Sequence, residues 1–345
     1  MADERLAALG FNDWPFPIVP DDFVTRHLCD RAWLSRLLDQ TVDAWKLRSS
    51  SMINLLWADI GAGKTHTIRH LQHLAADAGF TASYCFEMPD RSRSFVDFHN
   101  TFLLAVGLED VLNAFMADEK IFDGAPVLRQ ICRAVFSTAS AELSAENWVA
   151  GIATTADFRR LGIPSKLSID QSIANVVALV AGLRKGSPSR TLLFVDEFQR
   201  IVSSGRRIAA EIQAGLCSLI NRMPESMSLV LSFASDPSDA LPEWMHPALI
   251  SRAGKNHLIP IMSLSNEDAR TFIKDILAVY APVRPSALFP FDESAINKII
   301  SMSGGNKVLP RELLGTASHV FERNLEDLVA GRISLIRADH VVVGL

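Results

Sequence analysis

The chain has 345 residues, 48% apolar and 21% charged, a balance that suits one or two globular domains and excludes a disordered chain. Its 34 basic residues against 39 acidic ones leave a formal net charge of −5. That excludes a protein that coats nucleic acid by bulk attraction, so any contact with DNA or RNA falls to a local patch.

The N-terminus, "MADERLAALG", lacks the apolar core of a signal peptide. The longest apolar run, Ile173–Leu183, is well short of the ~20 residues of a membrane span. The expectation is a soluble, cytoplasmic protein with no membrane partner. Four scattered cysteines (Cys29, Cys85, Cys132, Cys217) form no CxxC pair, and they read as buried free thiols rather than a zinc site.

In chain order, a proline-punctuated stretch, "FNDWPFPIVPDDFVT", precedes an apolar-periodic helix, "RAWLSRLLDQTVDAWKL". "MINLLWAD" reads as a buried strand entering a glycine-rich loop, and "THTIRHLQHLAADAG" as a helix ending at Gly79. A second strand, "FTASYCFEM", leads into a long helical region from Ser94 to Gly186, with turn signals at "FDGAP" and "GIPS". Then come strand "RTLLFVDEF", helix "GRRIAAEIQAGLCSLINRM", strand "MSLVLSFAS" and a short strand in "NHLIPIMSLS". From Ser265 onward the pattern is wholly helical, through "RADHVVVGL". Strands alternating with helices imply a parallel five-stranded α/β sheet covered on both faces, and the tail implies a small helical bundle.

Two stretches carry chemistry. "ADIGAGKT", Ala58 to Thr65, matches G-x-x-x-x-G-K-[ST] except at its first position. Gly61 and Gly63 supply the backbone conformations such a loop needs to turn its N–H groups around a phosphate. Lys64 reaches the β- and γ-phosphates, and Thr65 offers a hydroxyl to Mg²⁺. The following helix points its positive end at the same place. Ala58 is the mildest replacement for the first glycine, which chiefly eases the turn out of the strand. The candidate nucleotide-contacting set is Ala58, Gly61, Ala62, Gly63, Lys64, Thr65, His66 and Asp196. In "TLLFVDEFQ", four apolar residues deliver Asp196 and Glu197 to a strand's C-terminal end, the edge where ligands sit in an open parallel sheet. Asp196 would hold Mg²⁺ with Thr65, and Glu197 would polarise the attacking water. Taken alone, such a pair is also a common helix N-cap.

On these motifs the chain resembles the AAA+ P-loop ATPases, nearest to their initiator clade of origin-recognition, helicase-loading and transposition-regulator proteins. The resemblance implies ATP and Mg²⁺ as cofactors and a nucleotide-binding α/β core, residues 49–262, with a helical insert at about 94–186. It also implies an all-helical lid, 263–345, and an N-terminal segment, 1–48, near the adenine pocket. "SLVLSFASD" lies where the family carries its first sensor, with Ser235 the candidate and Ser232 the second. Arg252, in "PALISRAGKNHLIPI", matches the arginine finger that completes a neighbouring subunit's site; the alternative is a helix-end arginine pairing with a carboxylate. Arg311, in "SGGNKVLPRELLGTA", matches the second sensor, and otherwise is a surface arginine. The sequence ends at the lid, where many relatives append a winged-helix DNA-binding domain, so sequence-specific DNA reading of its own is not expected.

The resemblance implies a homo-oligomer, ring or filament, with ATP between subunits and DNA or a protein partner as target. A backbone track for DNA falls to Arg91, Arg93, Arg206 and Arg207, which follow strands on the ligand edge; solvated surface or inter-subunit salt bridges serve equally. His66, His70 and His73 share a helix face, and packing accounts for them better than metal.

Overall fold

The computed structural model describes residues 4–17, 25–27, 32–184, 190–223, 225, 227–237, 241–254, 257–305 and 307–342. A short helix α1 (Glu4–Ala8) and α2 (Ala32–Leu47) precede strand β1 (Met52–Ala58) and helix α3 (Lys64–Asp77). Strand β2 (Ala82–Glu87) leads into α4 (Phe95–Ala117), a 3₁₀ turn (Glu119–Gly124), α5 (Pro126–Ser137), α6 (Ser140–Val149), α7 (Thr155–Leu161) and α8 (Ile169–Leu183). Then follow β3 (Thr191–Asp196), α9 (Arg200–Ser203), α10 (Arg206–Arg222), β4 (Met227–Ala234), α11 (Pro247–Ala253) and β5 (Leu258–Ile261). Helices α12 (Asn266–Tyr280), α13 (Glu293–Met302) and α14 (Pro310–Val329) close the chain with a 3₁₀ turn, Ala338–His340.

The five strands are all parallel, in the order β2-β3-β4-β1-β5. Alternate residues of each central strand serve opposite faces, as a period of two requires. Ile53, Leu55 and Trp57 join the core beneath α4 to α8, whereas Met52, Leu56 and Ala58 join the one beneath α2 and α3. This double burial is why β1 and β3 read as continuous apolar runs. Register pairs Ala58 with Ala234 and Glu87 with Asp196, so the strands end together on one edge.

The insert is five α-helices and a 3₁₀ turn among the described residues, started by capping boxes at Ser94, Thr154 and Ser168 and broken where Gly107 takes φ +80°. Both turn signals fall at helix breaks: Gly124 ends the 3₁₀ turn before Pro126, and Gly162 caps α7 in the left-handed region. A third core holds α12, α13 and α14 together with Phe11 and Phe16 from near the N-terminus. Phe11, Trp14 and Phe16 all pack against Phe321.

Two expectations need correction. The tail is not helical after α14: Ile336 and Val341 are buried in the third core, and only the Ala338–His340 turn lies between them. Such short spacing leaves no room for a helix, and residues 343–345 lie outside the described ones. Cys132 and Cys217 are buried, but Cys85 is exposed. It sits on β2, the sheet's edge strand, whose alternation turns it outward. Cys29 lies outside the described residues.

Candidate nucleotide site

The loop after β1 is shaped by two glycines in the left-handed region, Gly61 (φ +87°) and Gly63 (φ +99°), a conformation that costs other L-residues about 1–2 kcal/mol. Gly63 is the N-cap of α3, so Lys64 and Thr65 open that helix. Lys64 is buried, and its Nζ donates to the carbonyls of Ala58 (3.4 Å) and Asp59 (3.2 Å). Burial lowers its pKa, while the carboxylates of Glu197 and Asp196 oppose that shift. Thr65 Oγ1 donates to Asp196 Oδ2 at 2.9 Å across the gap between β1 and β3. A hydroxyl and a buried carboxylate side by side, both hard oxygen donors, beside a buried ammonium, fit Mg²⁺ carrying phosphate.

Glu197 has φ +54°, the one non-glycine positive φ among the described residues. Its backbone N–H donates to Asp196 Oδ1 (2.9 Å), and its carboxylate accepts from Gln199 Nε2 (2.7 Å). Gln199 Oε1 in turn accepts from the backbone of Ala234 at the end of β4 (2.9 Å). Arg200 completes the frame by pairing with Glu87 (2.9 Å) and Asp90 (3.1 Å). The carboxylate that follows Asp196 is thus aimed by groups from three strand ends.

The C-terminal helices reach this site directly. The backbone N–H of Arg311, in the first turn of α14, donates to Gly61 O (3.2 Å), and a Cβ on Gly61 would stand 3.3 Å from Arg311 Cβ. Lys307 ion-pairs with Asp59 (2.9 Å) in the loop and Asp236 (3.0 Å) beyond β4. Both carboxylates push its pKa above the ordinary lysine value. A two-way bridge between Leu264 and Val308 anchors that segment to the start of the lid. The pattern pointed to Arg311 but not to Asp59, Gln199, Arg200, Asp236 or Lys307, because no motif marks them; the nearest signal was Lys307's place in the same "GGNK" turn.

Other expected residues lie as follows. Ala58 is buried at the end of β1, and Ala62 is buried inside the loop. Ser235 is half-buried, its N–H bonded to Ala58 O (3.1 Å), at the edge beside the loop. Ser232 is one turn of the pleat deeper, fully buried, with its hydroxyl unpaired. His66 Nε2 donates to His27 O (2.8 Å), His70 Nδ1 to Thr25 O (3.0 Å), and His73 meets Thr25 Oγ1 (3.1 Å). The three histidines therefore bind residues 25–27 to α3, and no group of metal-ligating side chains stands among the described residues.

Arg252 is exposed in the last turn of α11, donating to Ala248 O and Asn221 Oδ1, both at 3.0 Å, and among the described residues to no carboxylate. It lines a cavity with Ser50, Ser51 and Met52, at the start of β1 rather than its end. A seven-residue strand puts this about 20 Å from Lys64, so Arg252 cannot serve its own copy's loop. Arg91, Arg93, Arg206 and Arg207 are exposed on loops and helix starts after β2 and β3, and no ion pair holds them among the described residues.

The architecture, a parallel five-stranded sheet between helices with a helical bundle after it, is shared with solved structures. A structure of Drosophila ORC bound to DNA matches 99% of this chain and 64% of its own at TM-score 0.51 and 12% identity. A structure of the Aeropyrum pernix ORC2 protein in ADPNP and ADP complexes matches 90% and 66% at TM-score 0.50 and 17% identity. The chain thus spans just under two thirds of either, and at these identities the likeness is one of fold. No protein-family model and no curated protein matches the sequence. No described helix is long and apolar enough to cross a membrane.

Proposed function

We propose that this chain is an ATP-hydrolysing AAA+ switch or motor, built from the nucleotide-binding core 49–262 and the lid 263–345, that assembles with ATP between subunits. The observation that carries this reading is the convergence of Lys64, Thr65, Asp196 and Glu197 on one sheet edge beneath a lid arginine. Bound Mg²⁺ would neutralise charge on the transferring phosphoryl group. Lys64 holds phosphate oxygens, Thr65 and Asp196 hold the ion, and Glu197, aimed by Gln199, takes the proton of the attacking water. Ser235 would sense the γ-phosphate, His66 at the start of α3 would stand near the nucleotide, and Arg252 from the next copy would complete the site.

The target we favour is DNA or a DNA-bound partner. Four exposed arginines on the ligand edge support it, as does a fold shared with a protein whose structure was solved on DNA. A protein target is the second reading, favoured by exposed apolar side chains on the insert, Met116 (61%) and Phe136 (51%).

The test is ATP turnover with and without duplex DNA at two salt concentrations. DNA stimulation that fades with salt supports the first target; a flat response moves the assignment to a protein. Arg252→Ala should keep ATP binding and lose about 10³-fold or more in turnover. Mixed with Glu197→Gln chains it should regain part of it, and absence of rescue at every ratio sinks the shared site.

A further inference from the structure

On the N-terminal edge of the sheet, away from the phosphate loop, lies a cavity of about 360 Å³ lined by Arg48, Ser50, Ser51, Arg252 and His257. It is open to solvent and roomy enough for a group larger than one water. Arg48 Nη1 donates to His257 Nε2 (3.4 Å), and among the described residues Arg252 is held by Ala248 O and Asn221 Oδ1 alone. Behind them sits Arg190, 4% exposed. Its guanidinium donates to Met227 O (3.1 Å), Ser228 Oγ (2.8 Å), Ser50 O (3.1 Å) and Arg48 O.

Every one of those acceptors is neutral. Among the described residues no carboxylate pairs with Arg48, Arg190 or Arg252. Glu225 reaches Ser50 only through a backbone bridge, its side chain exposed. A buried guanidinium without a counter-charge is costly, and two more cations at the surface above it add to the same field. Burial depresses the Arg190 pKa with no acidic group opposing it, and burial followed by the charge of Arg48 depresses that of His257. The missing member is an anion with several oxygens, which the two guanidinium forks of Arg48 and Arg252 can bind in parallel.

We propose that this pocket is a second phosphate-binding site, separate from the Gly61–Lys64 loop, that takes the polyphosphate of a nucleotide through Arg48 and Arg252. The nucleotide is either free in solution or held in the loop of a second copy of the chain; the second source rests on the assembly proposed above.

The experiment uses the full chain carrying Lys64→Ala, which removes the loop's own hold on phosphate, titrated with sodium tripolyphosphate by calorimetry. Binding is expected, and adding Arg48→Ala or Arg252→Ala should weaken it about tenfold or more, the worth of one charged hydrogen bond. Arg48 supports Arg190 only through its backbone carbonyl, so Arg48→Ala should fold, as thermal unfolding will verify. In a second arm, Arg48→Ala chains are mixed with Glu197→Gln chains and ATP. Restored turnover assigns the pocket to a neighbour's nucleotide, with or without tripolyphosphate binding. Arginine-dependent tripolyphosphate binding without rescue assigns it to free polyphosphate. Absence of both, or binding indifferent to both arginines without rescue, overturns the site. The ATPase reading fails separately: wild-type chains without turnover that still bind tripolyphosphate through Arg48 would remove it and leave the pocket standing.

Discussion

Replacing Gly61 by alanine measures how firmly α14 presses on the glycine loop after β1. Two costs are built into the geometry. At φ +87° any L-residue is strained, by about 1–2 kcal/mol. In addition, the new Cβ would lie 3.3 Å from Arg311 Cβ and 3.7 Å from its Cδ, so α14 must retreat by a few tenths of an ångström. That retreat strains the bond from Arg311 N to Gly61 O, 3.2 Å long, whose net worth is about 0.5–1.5 kcal/mol. Gly63→Ala supplies the reference, because it has φ +99° and a Cβ there meets no heavy atom within 4 Å. It carries the backbone cost alone. Urea unfolding of nucleotide-free protein should therefore show Gly61→Ala as the worse variant by about 0.5–1.5 kcal/mol. In an Arg311→Gly background, where the opposing Cβ is gone, the excess should vanish. Equal losses at the two glycines, with coupling to position 311 below the ~0.5 kcal/mol noise of additivity, would refute a lid seated on the loop.

Two further outcomes follow from the same geometry. Lys307→Met leaves Asp59 and Asp236 facing each other without the cation between them. Spin labels on lid and core should then report a wider spread of distances and the KM for ATP should rise, both differences shrinking in high salt; an unchanged distance distribution rules the clamp out. His99 is fully buried in the insert, bonded to Asn100 and Asn175, and its pKa is pushed down to about 4 by burial. Unfolded chains take up a proton below the ordinary value of 6.5, whereas folded ones do so only near 4. Stability is therefore complete above pH 6.5 and lost as pH falls towards 4, by about 2 kcal/mol at pH 5. Urea midpoints at pH 7.5 and 5 should show this, with a flatter profile for His99→Gln. Identical profiles for the two chains would falsify it.

The motif "GAGKT" announced its loop because glycine is the residue that takes those φ values without strain, and that fact is local. The "LLFVDE" run announced a buried strand delivering two carboxylates for the same reason: a doubly covered parallel strand must be continuously apolar. Element types, strand count and the C-terminal helical bundle follow from such periodicities, which each segment carries within itself. Tertiary structure alone decided the rest. That Asp196 stands 2.9 Å from Thr65 depends on a register between strands over a hundred residues apart. That Lys307 binds Asp59 and Asp236, or that Gln199 ties Glu197 to β4, depends on three loops meeting at one edge. Charged and amide side chains have no periodic signature, since each is satisfied by whatever partner the packed core brings within reach. For that reason the guanidiniums of Arg48, Arg190 and Arg252, which meet no carboxylate among the described residues, carry no mark along the chain, and only the sheet gathers them at its opposite edge.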